Sequence, residues 1–353
     1  MNWMVIHSRK SELRTIKIRE AKEMKKINYP DGIEDEYLHI YSDDELKTLQ
    51  QDWDNIRSQY QNELKIFPAD VKVILTASFE ELTDFYFAFR QISANISTTK
   101  RVTRTKRDGS PITEDEEIFN YDTFRNKIAE FFIDHDCAMG ITSCFYCDAH
   151  PIGKFLKAKE KRRSFDIDHF YPQNECPILA LSLKNFVPSC QVCNSRVKGK
   201  TALFDFYRLQ NLNNSDRKKI LCKISPISKD YNFNENVFIR VLPKNGFDKK
   251  VSFLDNMNSY EINFDATDDY KHETEAFCLS QRYNSVTILS EALSLLDLKK
   301  KFPLTKMKEI QDLLNANENH YVTLDEIEET IFRKKDDEKR KAPLLKLKQD
   351  ILE

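Results

Sequence analysis

Four cysteines stand as two pairs, Cys144/Cys147 in CFYC and Cys190/Cys193 in CQVC, with 42 residues between the pairs. A two-residue gap lets one tight knuckle present both sulfurs, and tetrahedral zinc takes four thiolates at about 2.3 Å. The spacing therefore predicts a closed, structural Zn²⁺ site that contributes folding energy and leaves no position open for a substrate. Cys137, Cys176, Cys222 and Cys278 lack paired spacing and read as packed free thiols.

Between and beside the pairs lies a second set of different chemistry: Asp168, His169, Asn185 and Asn194. Oxygen and imidazole groups suit a hard divalent cation and a proton acceptor. Hydrolysis of a phosphodiester needs a base for the attacking water and positive charge for the phosphorane and the leaving oxygen. Histidine suits the first task near neutral pH. Asp168 and Asn194 suit the second, with Mg²⁺ or Mn²⁺ between them. An Asp-His dipeptide alone signals nothing; its position inside the cysteine clamp supplies the weight. Asp166 reads equally as a group orienting His169 and as a solvent-facing strand residue. His135 and His150 read as satisfied or exposed histidines.

The elements that must position these groups follow from periodicity. Phe165, Ile167 and His169 alternate with Asp166, Asp168 and Phe170, a strand pattern that Pro172 ends. Neighbours on a strand point to opposite faces, so Asp168 and His169 share one site only where the strand twists or stops. Cys190–Arg196 reads as a knuckle leading into a short helix that Gly199 can stop. Upstream, Ser42/Glu45 and Ser78/Glu81 are capping boxes before the aromatic stripes Leu46–Leu64 and Phe79–Phe89, and Asp122 is expected to cap a third helix. The polar stretch from Ser97 to Glu117 reads as an exposed loop or arm, and 211–219 as a polar link. Further on, Val237–Val241, Val251/Phe253 and Tyr260–Phe264 alternate as short strands, with Asn245-Gly246 as a hairpin turn. Apolar residues at helical spacing return after Asp269, and the charge-dense ending is expected to dock as a helix or meet a partner.

Composition sets the frame. The chain has 353 residues, 40% hydrophobic and 32% charged, with a formal net charge of −2. That describes globular protein of two or three domains and does not by itself announce a nucleic-acid binder. The N-terminal MNWMVIHSRK lacks the apolar run of a secretory signal and no stretch reaches membrane-spanning length, so the expectation is cytoplasmic, with no membrane partner. Basic runs break the neutrality: eight basic against three acidic residues in Arg9–Lys26, five against none in Lys100–Arg107, and six against one in Lys154–Arg163. Each fits a polyanion or a solvated face. The third run lies between the first cysteine pair and Asp168-His169, which favours phosphate contact. Arg163, Arg196, Lys198 and Lys200 flank the expected cleft and fit the same role.

The stretches DIDHFYP, Asn185 and CQVCNSRVK together resemble the HNH endonuclease superfamily, whose ββα-metal core is often wrapped around a zinc site. The resemblance covers about sixty residues. It implies His169 as general base, Asp168 and Asn194 as ligands of the catalytic metal, and Asn185 as an organiser of the loop between the strands. Many members carry histidine where this chain has Asn194; asparagine at that place fits the H-N-N subtype and leaves the metal preference open. FCLSQRYN and APLLKLKQDIL resemble bacterial HNH proteins of similar length, some of which act in defence against phage.

The expected fold is α+β: a mainly helical region 1–136 for targeting or partner contact, an HNH module 137–210 with the four-cysteine zinc site, and a region 211–353 of short strands followed by helices. The expected activity is metal-dependent cleavage of nucleic acid, DNA ahead of RNA. A homodimer or a partner protein, such as an ATPase, would supply a second cut or a trigger. The rival expectation is a zinc-stapled binding module without hydrolytic activity.

Overall fold

The computed structural model describes residues 26–244, 258–316, 321–333 and 342–352. The basic run before Lys26, the Asn245-Gly246 turn and the strand expected at Val251 and Phe253 lie outside them. The architecture is mixed α/β: helices carry most of the regular structure, and the described strands pair as four two-stranded antiparallel ribbons.

Local chemistry starts two of the N-terminal helices where the capping boxes predict. Ser42 Oγ accepts from Glu45 N, and Glu45 accepts from Ser42 N at 2.7 Å, opening Asp43–Gln59. Ser78 and Glu81 open Phe79–Ile92 in the same way. Each cap contributes about 1 kcal/mol; burial of Trp53, Leu82, Tyr86 and their neighbours, at about 1.5–3 kcal/mol for a large side chain, decides the packing. The helix Tyr121–Asp134 starts two residues earlier than expected. Asn120 is its cap, accepting from Asp122 N at 2.9 Å, and Asp122 sits in the first turn, where its charge favours the helix N-terminus.

The Ser97–Glu117 stretch is exposed, as expected, but it is an ordered hairpin: β1 (Thr99–Thr105) pairs with β2 (Pro111–Glu117) through a turn at Gly109, φ 84°. Its basic strand faces acidic residues. Arg101 meets Asp115, Arg104 meets Glu116, and Lys100 reaches Asp52 at 2.5 Å. The polar stretch expected as a link is also regular, because Asn213 caps a helix over Asn214–Ile224.

β3 (Lys154–Lys157) and β4 (Glu160–Arg163) form a second exposed hairpin, and β5 (Asp166–His169) pairs with β6 (Phe186–Ser189) to form the central ribbon. Between β5 and β6 runs a buried loop held from three sides by the N-terminal helical region. Tyr171 stacks on Tyr86 with centroids 4.7 Å apart and shares a hydrogen bond with Thr83; Ser182 Oγ donates to Ile74 O; Tyr37 OH donates to Leu181 O. One apolar core therefore runs from Ile27 to Leu279 and joins residues on both sides of position 136.

A second cluster gathers Ile239, Ile262, Tyr283 and Leu293 with Leu347 and Ile351. There β7 (Val237–Pro243) pairs with β8 (Tyr260–Ala266), and the closing helix Leu345–Leu352 docks onto the helix Val286–Lys301. Among the described residues no helix is long and apolar enough to cross a membrane.

Candidate metal centre and the adjoining Asp-His strand

Cys144, Cys147, Cys190 and Cys193 come together as the spacing predicts: their sulfurs all lie within 4.8 Å of one another and all four residues are buried. The first knuckle closes through Asp148 N to Cys144 O at 2.9 Å, with Asp148 at φ 53°. Each sulfur also has a polar neighbour. Cys190 N donates to Cys144 Sγ at 3.3 Å, Cys193 N to Cys190 Sγ at 3.4 Å, and Arg282 Nη1 to Cys193 Sγ at 3.1 Å; His150 Nδ1 lies 3.6 Å from Cys147 Sγ.

Hydrogen bonding from Cys144 pulls the Cys147 thiol well below the ordinary range and Cys190 down to about 6, while burial pushes Cys144 up. Burial opposes the Arg282 charge, but Cys193 and Cys147 outweigh it and raise that pKa. Four converging sulfurs, N–H donors and a guanidinium beside them fit a cation such as Zn²⁺, whose tetrathiolate complex carries excess negative charge.

The C-terminal region is tied to the same knuckle. Tyr283 OH donates to Cys147 O at 2.6 Å, Leu344 N to Asp148 O at 2.7 Å, and Lys346 N to Asp148 Oδ2 at 3.2 Å.

On β5 the pleat separates neighbours. Asp166 and Asp168 take partners from the π-helical segment Val192–Lys198 and its surroundings. Asn194 Nδ2 and Ser195 Oγ donate to Asp166 Oδ2 at 3.3 and 3.4 Å. Lys198 Nζ lies 2.9 and 2.8 Å from the two Asp168 oxygens and also donates to His169 O at 2.9 Å, while Tyr146 OH donates to Asp168 Oδ2 at 2.6 Å. Asp168 thus already holds one cation, an ammonium, and as arranged its carboxylate is no open ligand for another. Lys198, grouped by sequence with phosphate-gripping surface cations, is a buried ion-pair partner, 4% exposed.

His169 has a different set of neighbours. Its ring sits edge-on to Tyr121 at 4.9 Å and to Phe186, its cross-strand partner, at 5.1 Å. Nε2 lies 2.9 Å from Ala180 O. A carbonyl only accepts, so Nε2 carries the proton and Nδ1 keeps the lone pair. Burial lowers the His169 pKa, with the Ala180 carbonyl and the Asp168 charge opposing it, so the ring is neutral at pH 7. The charges of Asp168 and Lys198 both reach the imidazole although their side chains are paired elsewhere.

Asn185, fully buried, ties the loop between β5 and β6. Its Oδ1 accepts from Tyr171 N at 2.7 Å, and Nδ2 donates to Tyr171 O and Leu179 O. Of the remaining expected contact residues, Arg196 and Lys200 are exposed. Arg163 is half-buried, 5.9 Å over the Phe165 ring and beside Tyr121, whose pKa burial raises and Arg163 pulls back.

Sequence reasoning missed Tyr121, Tyr146 and Arg282, whereas His150, read as satisfied or exposed, is exposed with Nδ1 beside Cys147 Sγ. Tyr146 lies inside the first cysteine pair, a signal that was available. Arg282 and Tyr121 are far along the chain from the cysteines and arrive only through the fold. No family model, curated protein or solved structure matches the chain.

Proposed function

We propose that the chain is a phosphodiester hydrolase of the HNH type acting on nucleic acid, DNA in preference to RNA. The observation that carries the reading is His169: a buried, neutral imidazole on the strand beside the cysteine cluster, with Nε2 fixed on Ala180 O so that Nδ1 is the basic nitrogen. A base of this kind takes a proton from water as the water attacks phosphorus, and the 3′-oxygen leaves in line. Asn185 fixes the loop that carries the Ala180 carbonyl, and so fixes the tautomer. Asp168 and Asn194 are the residues that would hold Mg²⁺ or Mn²⁺, which would supply positive charge for the phosphorane; the ion must first take the carboxylate from Lys198. The cysteine cluster takes no part in the chemistry and holds the ribbon in place. A role in defence against phage belongs to this proposal only through the resemblance to bacterial proteins of similar length.

A second reading is favoured by the same ion pair. With Asp168 neutralised by Lys198, the chain is a zinc-stapled binding module without activity, or an effector that waits for a partner to release that carboxylate.

The test is a supercoiled plasmid incubated with the full chain and Mg²⁺ or Mn²⁺, against a control without divalent ion. Nicked or linear product is expected. His169→Ala should lower the rate by about 10²-fold or more with thiol-bound metal content unchanged. Cleavage by that variant at the wild-type rate removes His169 from the reaction. An inert wild-type protein with its cysteine-bound metal intact selects the second reading.

A further inference from the structure

The two exposed hairpins both carry a basic run, and only the first is neutralised from within. β1 is answered by the acidic strand β2 and by Asp52. The β3–β4 hairpin has six basic residues and Glu160. Its root is pinned by Lys154 Nζ, which reaches Asp136 at 2.7 Å, and by Ser164 N and Oγ, which both donate to Gly153 O; nearer the turn, Lys161 Nζ reaches Asp134 at 2.5 Å. Even counting those two aspartates, the ribbon keeps three positive charges in excess. Lys157 and Lys159, at its tip, make no ion pair among the described residues.

The tip is also apolar. Phe155 is 47% and Leu156 75% exposed, beside lysines whose unpaired charges a purely apolar partner would have to desolvate. Ala158 and Lys159, at φ 52° and 70°, make the two-residue turn with both central residues left-handed, which keeps the strands close and strongly twisted. Four residues per strand, at about 3.4 Å each, give a ribbon roughly 14 Å long. A two-stranded ribbon fits the major groove of a duplex, about 12 Å wide and 8.5 Å deep. The root leads to His169: β4 ends at Arg163, Arg163 lies beside Tyr121, and Tyr121 lies against the imidazole.

We infer that the β3–β4 hairpin is a groove-inserting arm for duplex nucleic acid, with Lys157 and Lys159 on phosphates and Phe155 and Leu156 against base edges or sugars. The inference rests on the proposed nucleic-acid substrate and names what grips it. A second class of partner that is anionic and apolar, a lipid surface, is an outcome of the test.

The experiment is fluorescence anisotropy of a labelled 24-base-pair DNA duplex with the full chain carrying His169→Ala, without added divalent ion, across a range of salt. A parallel arm uses vesicles of phosphatidylcholine and phosphatidylserine. Lys157→Glu with Lys159→Glu should weaken duplex binding at least tenfold and flatten the slope of log K against log salt by roughly 1.8, about 0.9 per lost phosphate contact. Phe155→Ser with Leu156→Ser should weaken binding several-fold and leave that slope unchanged. Cysteine-bound metal content and circular dichroism establish that each variant is folded. Folded variants that bind the duplex like the parent overturn the inference, as does a parent that binds no duplex. Loss confined to the vesicle arm assigns the hairpin to a membrane surface and also overturns it. Binding that behaves as expected in a protein that never cleaves leaves the arm standing and removes the hydrolase reading alone.

Discussion

The cysteine cluster and the Asp166–His169 strand are built from one stretch of chain, and they bring their polar groups together by different means. Each cysteine pair lies on a backbone that turns back on itself, so both sulfurs of a pair face one way and the pairs need only meet. β5 is extended, and its pleat sends Asp168 to Lys198 and Tyr146 while His169 goes to Tyr121, Phe186 and Ala180. Turns make convergence a local property, whereas a strand leaves it to whatever packs on each face. The four sulfurs therefore converge from the two knuckles alone, and the strand is finished by residues from elsewhere: Tyr121 on one side and Lys198 on the other.

Breaking the cluster should have the largest effect. A structural zinc site supplies on the order of 10–16 kcal/mol to the fold that forms it, and the first knuckle of this cysteine cluster also anchors the closing segment through Asp148 and Tyr283. Cys147→Ser, or stripping with a strong chelator, is expected to release one metal equivalent and lower the melting temperature by more than 10 °C. Protease sensitivity is expected to appear around residues 140–200 and near the closing helix. A metal-free protein that melts like the wild type would show that the knuckles hold themselves.

The strand is expected to respond less, and through charge. Lys198 and Asp168 are a buried pair with side chains 2% and 6% exposed, so Asp168→Ala strands an ammonium inside the protein. Removing one partner of such a pair costs about 3–5 kcal/mol, while apolar replacement of both is often neutral. Urea unfolding should therefore place Asp168→Ala well below wild type and Asp168→Leu with Lys198→Met close to it. The double variant should be inactive if Asp168 is needed for cleavage. Equal stability of the single and double variants would mean that Lys198 finds water or another acceptor, and that the two faces of β5 differ less than their contacts indicate.

How much of this was legible follows from the same contrast. The four cysteines, the capping boxes at Ser42 and Ser78 and the strand at Ile167 were readable because spacing alone determines them. The Ser97–Glu117 hairpin was not: its side chains are polar on both faces, so the apolar alternation that marks a half-buried strand is missing, and cross-strand charges hold it instead. Lys198 was misplaced for a related reason. Among Arg196, Lys198 and Lys200 nothing in sequence says which turns inward; that follows from the π-helical segment lying against Asp168. Tyr121 belongs to a helix well upstream of β5, and only the shared core brings it to the imidazole.

The smallest expected effect tests whether the cluster is as self-sufficient as its spacing implies. Arg282 comes from the short helix Leu279–Tyr283 and donates to Cys193 Sγ, so one of the four sulfurs depends on a residue outside both knuckles. A charge-assisted hydrogen bond to a ligand sulfur steadies the excess negative charge of a tetrathiolate complex, and losing a group of this kind lowers metal affinity by about 10–100-fold. Arg282→Gln is expected to speed metal release to a chromophoric chelator within that range and to lower the melting temperature by a few degrees. Arg282→Lys should fall between, since its ammonium keeps the charge without the planar fork. Because Tyr283 holds the Cys147 carbonyl from the adjacent position, Tyr283→Phe should loosen the closing helix with little change in the rate of metal release. If instead both substitutions release metal equally fast, the guanidinium has no special place at the sulfur, and docking of the C-terminal region as a whole is what keeps the cluster closed.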